Sequence, residues 1–172
     1  MHAESMRNMA DAIATYCKEH VGKRRRVLDV GSRIVDGGLQ DSYRSIMPAE
    51  WIYTGCDVEA GANVDIVMEE EYALPRRGAG WDIIISGQCF EHVRWPWELF
   101  CEIALALAPN GIAILSAPWK AGIHRYPVDC WRILPDGWQA LCEWGGLHVV
   151  KTWTCGGDSL LVARRGHEHV NP

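Results

Sequence analysis

Trp81-Asp82-Ile83-Ile84-Ile85-Ser86 is a continuous apolar run of strand length, the pattern of a strand covered on both faces inside a parallel sheet. Ile112-Ala113-Ile114-Leu115-Ser116 repeats that pattern. Between them Pro96 opens a helix, Leu99, Phe100, Ile103, Ala104 and Leu107 recur at helical spacing, and Pro109-Asn110-Gly111 closes it. Strand, helix and strand in so short a unit predict a right-handed crossover within a parallel sheet. Upstream, Arg26 to Gly31, Trp51 to Asp57 and Val64 to Met68 read as three further strands. The stretch after Gly38 reads as a short helix ending before Pro48. Met6, Met9, Ala10, Ile13, Ala14 and Cys17 form the apolar stripe of an amphipathic lead-in helix over 5–19. Downstream, an irregular aromatic-rich stretch over 118–135 precedes a helix over Asp136 to Trp144. Two strands follow, Leu147 to Thr154 and Ser159 to Ala163, joined by the hairpin-like turn Cys155-Gly156-Gly157-Asp158.

The 172 residues are 48% hydrophobic and 23% charged, one domain's worth of globular composition that leaves intrinsic disorder out. Residues 1–172 are expected to form a single domain, with 1–22 as the lead-in helix and 166–172 as a loose tail. Seventeen Lys and Arg against 22 Asp and Glu make a formal net charge of −5, so no global electrostatic footprint for nucleic acid exists. The one basic cluster, Lys23 to Arg26, reads as a solvated strand entrance. Seven cysteines are scattered without a Cys-x-x-Cys pair, the usage of reduced thiols. The N-terminus lacks the apolar stretch of a secretory signal, and Asp11 and Glu19 lie where such a segment avoids acid. No apolar run nears the about 18 residues of a membrane span. The expected location is cytoplasmic, without a membrane partner.

In a sheet of this kind the ligand binds at the carboxyl ends of the strands. Gly31 follows Asp29 at a sharp turn there, and its missing Cβ lets a ligand approach the backbone. Asp57 closes the second strand, from where a carboxylate accepts hydrogen bonds from both ribose hydroxyls of an adenosine. The competing reading of Asp57 is a helix cap or a solvated strand end. Five stretches in order then resemble the motifs of class I S-adenosylmethionine-dependent methyltransferases of the small, methyltransferase type 11-like kind. They are Val27 to Gly31, Gly55-Cys56-Asp57-Val58, Glu70 to Pro75, Trp81 to Val93 with its Glu91-His92 pair, and Ala106 to Gly111.

The resemblance covers about residues 25–165. It implies an α/β, Rossmann-like doubly wound fold with a mostly parallel seven-stranded sheet and a C-terminal antiparallel hairpin strand. It also implies S-adenosylmethionine as cofactor, with Asp29 near its ammonium group, Gly31 along its backbone-facing side, Asp57 on the ribose and Glu70 near the adenine amino group. Ser32, Val58, Ser86 and Gln88 complete the implied cofactor-binding set. Arg33 stands where the family usually has a second glycine, and Gly37 and Gly38 follow later in the loop.

Methyl transfer is an in-line displacement on an activated methyl group, so proximity, orientation and exclusion of water can supply most of the catalysis. A general base helps when the acceptor is a hydroxyl or amine, and His92 and His124 are the candidates. The competing reading of His92 is a residue that begins a helix and borders the cofactor. His124 to Arg132 gathers rings, an imidazole, a carboxylate and guanidiniums into one segment. Trp119, His124, Tyr126 and Trp131 are expected to wall an acceptor pocket, with Asp129 beside them and Arg132 or Arg125 binding an anionic group. The competing reading is a loop held by an Asp129–Arg132 ion pair, with Trp131 filling the core. No metal site is expected, because Cys89, Glu91 and His92 lack ligand spacing to another cluster and His167-Glu168-His169 lies in the tail.

The expected function is methyl transfer from S-adenosylmethionine, leaving S-adenosylhomocysteine, to a small-molecule acceptor, with a protein partner or homo-oligomer left open. A nucleic-acid acceptor is not expected, since the acidic balance opposes phosphate binding and Ser86-Gly87-Gln88-Cys89 stands in place of an Asn-Pro-Pro-Tyr type motif. The alternative is a catalytically silent cofactor-binding scaffold or activating subunit, for which Arg33 speaks. An NAD-dependent oxidoreductase needs Gly-x-Gly-x-x-Gly, which Gly31 to Asp36 fails.

Overall fold

The structure, a computed structural model, describes residues 3–35 and 41–166. Strands Arg26–Val30 (β1), Ile52–Asp57 (β2), Ile66–Val67 (β3), Trp81–Gly87 (β4), Leu107–Pro118 (β5), His148–Cys155 (β6) and Asp158–Arg164 (β7) form one sheet. Its order is β3-β2-β1-β4-β5-β7-β6. β1 to β5 run parallel to one another, and β7 lies antiparallel between β5 and β6. This is the α/β, Rossmann-like, mostly parallel seven-stranded sheet with a C-terminal antiparallel hairpin that the sequence predicts. Helices Ala3–Tyr16 (α1), Pro96–Ala106 (α2) and Pro135–Gly145 (α3) complete the framework.

Side chains alternate across the sheet, so the central strands feed two cores. Leu28, Val30, Ile84, Ala113, Leu115, Leu161 and Ala163 face one side, packed with Leu99, Phe100 and Ile103 of α2 and Trp138 of α3. Val27, Ile83, Ile85, Ile112, Ile114 and Val162 face the other, packed with Met9 and Ile13 of α1 and with Tyr43 and Trp51. Burial on both faces is why the central strands read as unbroken apolar runs.

The structure departs from the expected boundaries in several places. α1 ends at Tyr16 rather than 19, because the chain tightens into a 3-10 turn over Lys18–His20 and Gly22, at φ +73, swings it toward β1. Its buried face also differs from the apolar stripe: Ser5 and Asn8 are buried and Ala14 is exposed, because both polar side chains donate to Asp158. The described part of the segment before Pro48 is a 3-10 turn over Tyr43–Ile46 in place of a helix. Gly37 and Gly38 lie outside the described residues, as does the tail from His167.

β3 shrinks to Ile66–Val67, since only Cys56 and Asp57 of β2 pair with it. Pro109-Asn110-Gly111 does not separate helix from strand but forms a bulge inside β5, with Leu107 opposite Trp81 and Ile112 opposite Ile83. Asn110 takes φ +60 there, a conformation that Asn tolerates better than most residues.

Candidate active site

The strand order reverses between β1 and β4, each of which sends its following chain to a different side. At that switch point the carboxyl ends of the strands leave a crevice. On its β1–β2 side Gly31 takes φ +75, and the amides of Gly31 and Ser32 both donate to Cys56 O, at 2.9 and 3.1 Å. Half-buried Asp57 accepts from the Arg33 amide at 3.0 Å and the Glu59 amide at 3.1 Å, one on each oxygen. Each carboxylate oxygen has a second lone pair, so acceptor capacity remains for a ligand. Val58 beside it is exposed. Glu70, also exposed, lines an open hollow with Ile66, Met68, Ala73 and Pro75.

The Arg33 guanidinium is paired with Glu59 at 2.8 Å, and its stem packs where a Cβ on Gly61 would stand. The charge at the missing second glycine is therefore held toward the β2–β3 connection. Two serines expected at the cofactor spend their hydroxyls on the protein instead: Ser32 donates to Asn63 O at 3.2 Å and Ser86 to Val30 O at 2.8 Å. They brace the crevice wall.

Asp29 is 2% exposed and accepts a hydrogen bond from the Tyr53 hydroxyl, which in turn accepts from Asn63. Burial pushes its carboxyl from the ordinary 3.8 up to about 7, against the opposing pull of Tyr53 and Arg44. The folded protein therefore holds a proton that the unfolded chain releases between about pH 4 and 7. This contribution to stability is full below that window and is lost as pH rises through it. Asp29→Asn is expected to remove the loss, so the stability of the variant relative to wild type rises across the window. Urea melts at pH 4, 6 and 8 measure it, and parallel pH profiles would refute the assignment.

At the end of β4, an ideal Cβ on Gly87 would meet Tyr43 Oη at 1.9 Å, and one on Gly31 would meet Cys89 Sγ at 2.7 Å. Glycine is required at both positions by this close packing. Gln88, at φ +57, sends its amide away from the β1 side to Asp158 Oδ1 at 3.0 Å. Asp158 also accepts from Ser5 at 2.8 Å and Asn8 at 3.0 Å, tying α1 to the strand end. The Tyr43 hydroxyl is fully buried and has no hydrogen-bond partner among the described residues. Neither Tyr43 nor Asp158 carries a motif that sequence reasoning could have used.

Beyond β4, the 3-10 turn Phe90–His92 and the long connection over 119–134 meet. Cys130 N donates to Glu91 O at 2.6 Å, and His92 Nδ1 lies 2.7 Å from Val128 O. This brings Glu91, His92, His124 and Tyr126 together; the His92 ring stands edge-on to those of His124 and Tyr126, with centroids 5.0 and 5.9 Å away. Glu91 is 0% exposed and its carboxyl group finds no hydrogen-bond partner among the described residues. Burial pushes its carboxyl up to about 8, with its own amide and Arg132 acting weakly against that. Burial pushes the His92 imidazole below its ordinary value, against the opposing pull of the Val128 carbonyl.

The other loop residues separate. Arg132 was expected to hold an anionic group, yet it turns onto its own loop: Nη1 and Nη2 donate to Asp129 at 2.5 and 2.8 Å, and further bonds reach Gly122 O and Trp131 O. Asp129, held well below the usual carboxylate range by Arg132, also accepts from the His124 amide at 2.7 Å. Asp129 and Arg132 are thus the brace of the loop. Trp131 is 38% exposed rather than in the core, donating to Val93 O and lying edge-on to Trp97. Trp119 leaves the pocket wall for the β6–β7 turn, where its indole donates to Gly156 O at 3.1 Å.

No protein-family model and no curated protein matches the sequence. Solved structures do resemble the fold. The chain is similar to Burkholderia thailandensis 1,6-didemethyltoxoflavin-N1-methyltransferase, crystallised with 1,6-didemethyltoxoflavin and S-adenosylhomocysteine, at TM-score 0.70 and 16% identity over 95% of this chain and 80% of that one. It is similar to a SAM-dependent methyltransferase from Aquifex aeolicus at TM-score 0.63 and 15% identity, over 95% of this chain and 98% of that one. The chain has the class I S-adenosylmethionine-dependent methyltransferase fold. The [4+2]-cyclase SpnF is similar as well, at TM-score 0.69 and 16% identity over 92% of this chain and 80% of that one. A methyltransferase fold therefore does not by itself decide the reaction. All seven cysteines of this methyltransferase-fold chain are free thiols. No helix among its described residues is long and apolar enough to cross a membrane.

Proposed function

We propose that the protein binds S-adenosylmethionine at the β1–β4 switch point and transfers its methyl group to a small-molecule acceptor held by the 119–134 loop. The observation that carries this is Asp57. A carboxylate with spare acceptor capacity stands at the carboxyl end of β2, bonded through the Arg33 amide to the chain just beyond Gly31. That is where an adenosine's ribose hydroxyls need an acceptor pair. Exposed Val58 offers an apolar surface for adenine, and exposed Glu70 an acceptor for its amino group. The Tyr43 hydroxyl beside Gly87 at the end of β4, without a partner among the described residues, fits a polar ligand there, since buried polar atoms are nearly always satisfied. One solved neighbour holds S-adenosylhomocysteine and another is a SAM-dependent methyltransferase.

When bound, the sulfonium supplies an activated methyl group, so the protein's part is to bind, orient and exclude water. His92 Nδ1 faces a carbonyl and must donate to it, leaving Nε2 as a proton acceptor toward the loop. His124 Nδ1 faces Gly122 O in the same way. Either imidazole suits a general base for a hydroxyl or amine acceptor. Exposed Tyr126 completes the wall, while Arg132 and Asp129 hold its shape.

Calorimetric titration with S-adenosylmethionine, S-adenosylhomocysteine and NAD is expected to give micromolar binding of the two sulfur compounds and none of NAD. Label transfer from methyl-labelled S-adenosylmethionine into candidate acceptors then separates an enzyme from a silent cofactor-binding scaffold. Absence of binding to the folded protein would refute the cofactor assignment.

A further inference from the structure

Glu91 and His92 adjoin in sequence, and the 119–134 loop adds His124. His92 Nε2 lies 3.6 Å and His124 Nε2 3.8 Å from the same Glu91 oxygen, Oε1. One ligand atom from each of the three residues lies within 4.8 Å of the others. Each Nδ1 is turned to a backbone carbonyl, His92 to Val128 O at 2.7 Å and His124 to Gly122 O at 3.0 Å. A carbonyl only accepts, so each Nδ1 carries a ring proton, and in the neutral tautomer that fits this contact Nε2 presents a lone pair. The two Nε2 atoms therefore converge on a carboxyl group that is 0% exposed and without a hydrogen-bond partner among the described residues. Distances of 3.6 and 3.8 Å are too long for a proton to bridge them as a hydrogen bond. Nor does Arg132 neutralise Glu91, because Asp129 takes its guanidinium on both nitrogens.

We propose that Glu91, His92 and His124 form a binding site for a divalent transition-metal ion. Two imidazoles and one carboxylate make a donor set for such ions, whereas magnesium and calcium prefer oxygen alone. Metal–ligand bonds of about 2.0–2.2 Å place donor atoms about 3.0–3.6 Å apart, so the two Glu91–imidazole distances need only a small contraction. The Nδ1–carbonyl bonds are the outer contacts that fix ring orientation in metal-bound histidines. Three protein ligands leave coordination positions open, and they open on the half-exposed His124 and Tyr126 side. If the methyl-transfer reading holds, those positions would take an oxygen of the acceptor in the metal-loaded protein, and the imidazoles would serve as proton acceptors only in the metal-free one. The metal site itself does not depend on that reading.

The test is titration of the chelator-treated full chain with Co2+, read by its visible ligand-field absorption, and with Zn2+ by calorimetry. One ion per chain is expected. Glu91→Gln and His124→Ala should each weaken binding by at least about 100-fold, while a His167→Ala/His169→Ala double variant should leave the spectrum unchanged. Thermal melts of the metal-free variants confirm folding, and His124, at the edge of the site, keeps the test decisive where Glu91→Gln destabilises. Absent Co2+ bands, bands unchanged in His124→Ala, or bands lost only in the tail variant would overturn the site. S-adenosylhomocysteine binding, measured separately, reports on the methyltransferase reading alone.

Discussion

Asp57→Ala is expected to weaken S-adenosylhomocysteine binding by about 2–4 kcal/mol, a loss of roughly 30- to 700-fold in affinity. The carboxylate uses one lone pair on each oxygen for the Arg33 and Glu59 amides, so ribose hydroxyls would bond to a charge that the protein has already oriented. Removing it takes away two charge-assisted bonds and releases the loop beyond Gly31. Asp57→Asn separates the two effects, because an amide oxygen still accepts one backbone bond but cannot accept from both hydroxyls. Calorimetry on both variants, with melts to verify folding, checks the ordering wild type, Asn, Ala. Unchanged affinity in a folded Asp57→Ala protein would return Asp57 to a solvated strand end.

Trp138→Ala is expected to cost about 3–5 kcal/mol of stability, lowering the urea midpoint by roughly 2 M for the denaturant slopes of small proteins. Trp138 is 0% exposed, its ring meets Phe90 edge-on at 5.1 Å, and its indole donates to buried Ser159 at 3.0 Å. The truncation leaves a cavity between α3 and the turn that carries Glu91 and His92, and it strands a buried hydroxyl. Trp138→Phe should cost less, since it keeps the aromatic contact and loses only the indole bond and part of the volume. Against a total of about 5–15 kcal/mol, the alanine variant sits close to unfolding. A loss under about 1 kcal/mol would mean that α3 does not support the site.

The framework was legible because burial on both faces leaves a mark in composition. Ile83-Ile84-Ile85 and Ile112-Ala113-Ile114-Leu115 send alternate residues into two cores, and no solvated strand tolerates such runs. Gly31 and Asp57 were legible for a related reason: a strand end followed by a turn is a local event. Boundaries failed where a distant partner decided them. Ser5 and Asn8 look like the polar face of α1, but Asp158, far along the chain, draws them inward. Pro109-Asn110-Gly111 looks like a stop, yet the Trp81 and Ile83 pairings carry β5 through it.

The sequence by itself determined the layered α/β framework, its strand-end glycine and carboxylate, and a reactive set of side chains in residues 124–132. Periodicity and turn chemistry are short-range properties and survive in one dimension. Only the tertiary structure decided which of those side chains meet. Folding of the 119–134 loop onto the Phe90–His92 turn sets His124 against Glu91 and His92, turns Arg132 inward onto Asp129 and sends Trp119 to the β6–β7 turn. Those choices depend on which buried carboxylate finds a donor and which does not, a balance of desolvation against pairing that exists only once the chain has closed around it.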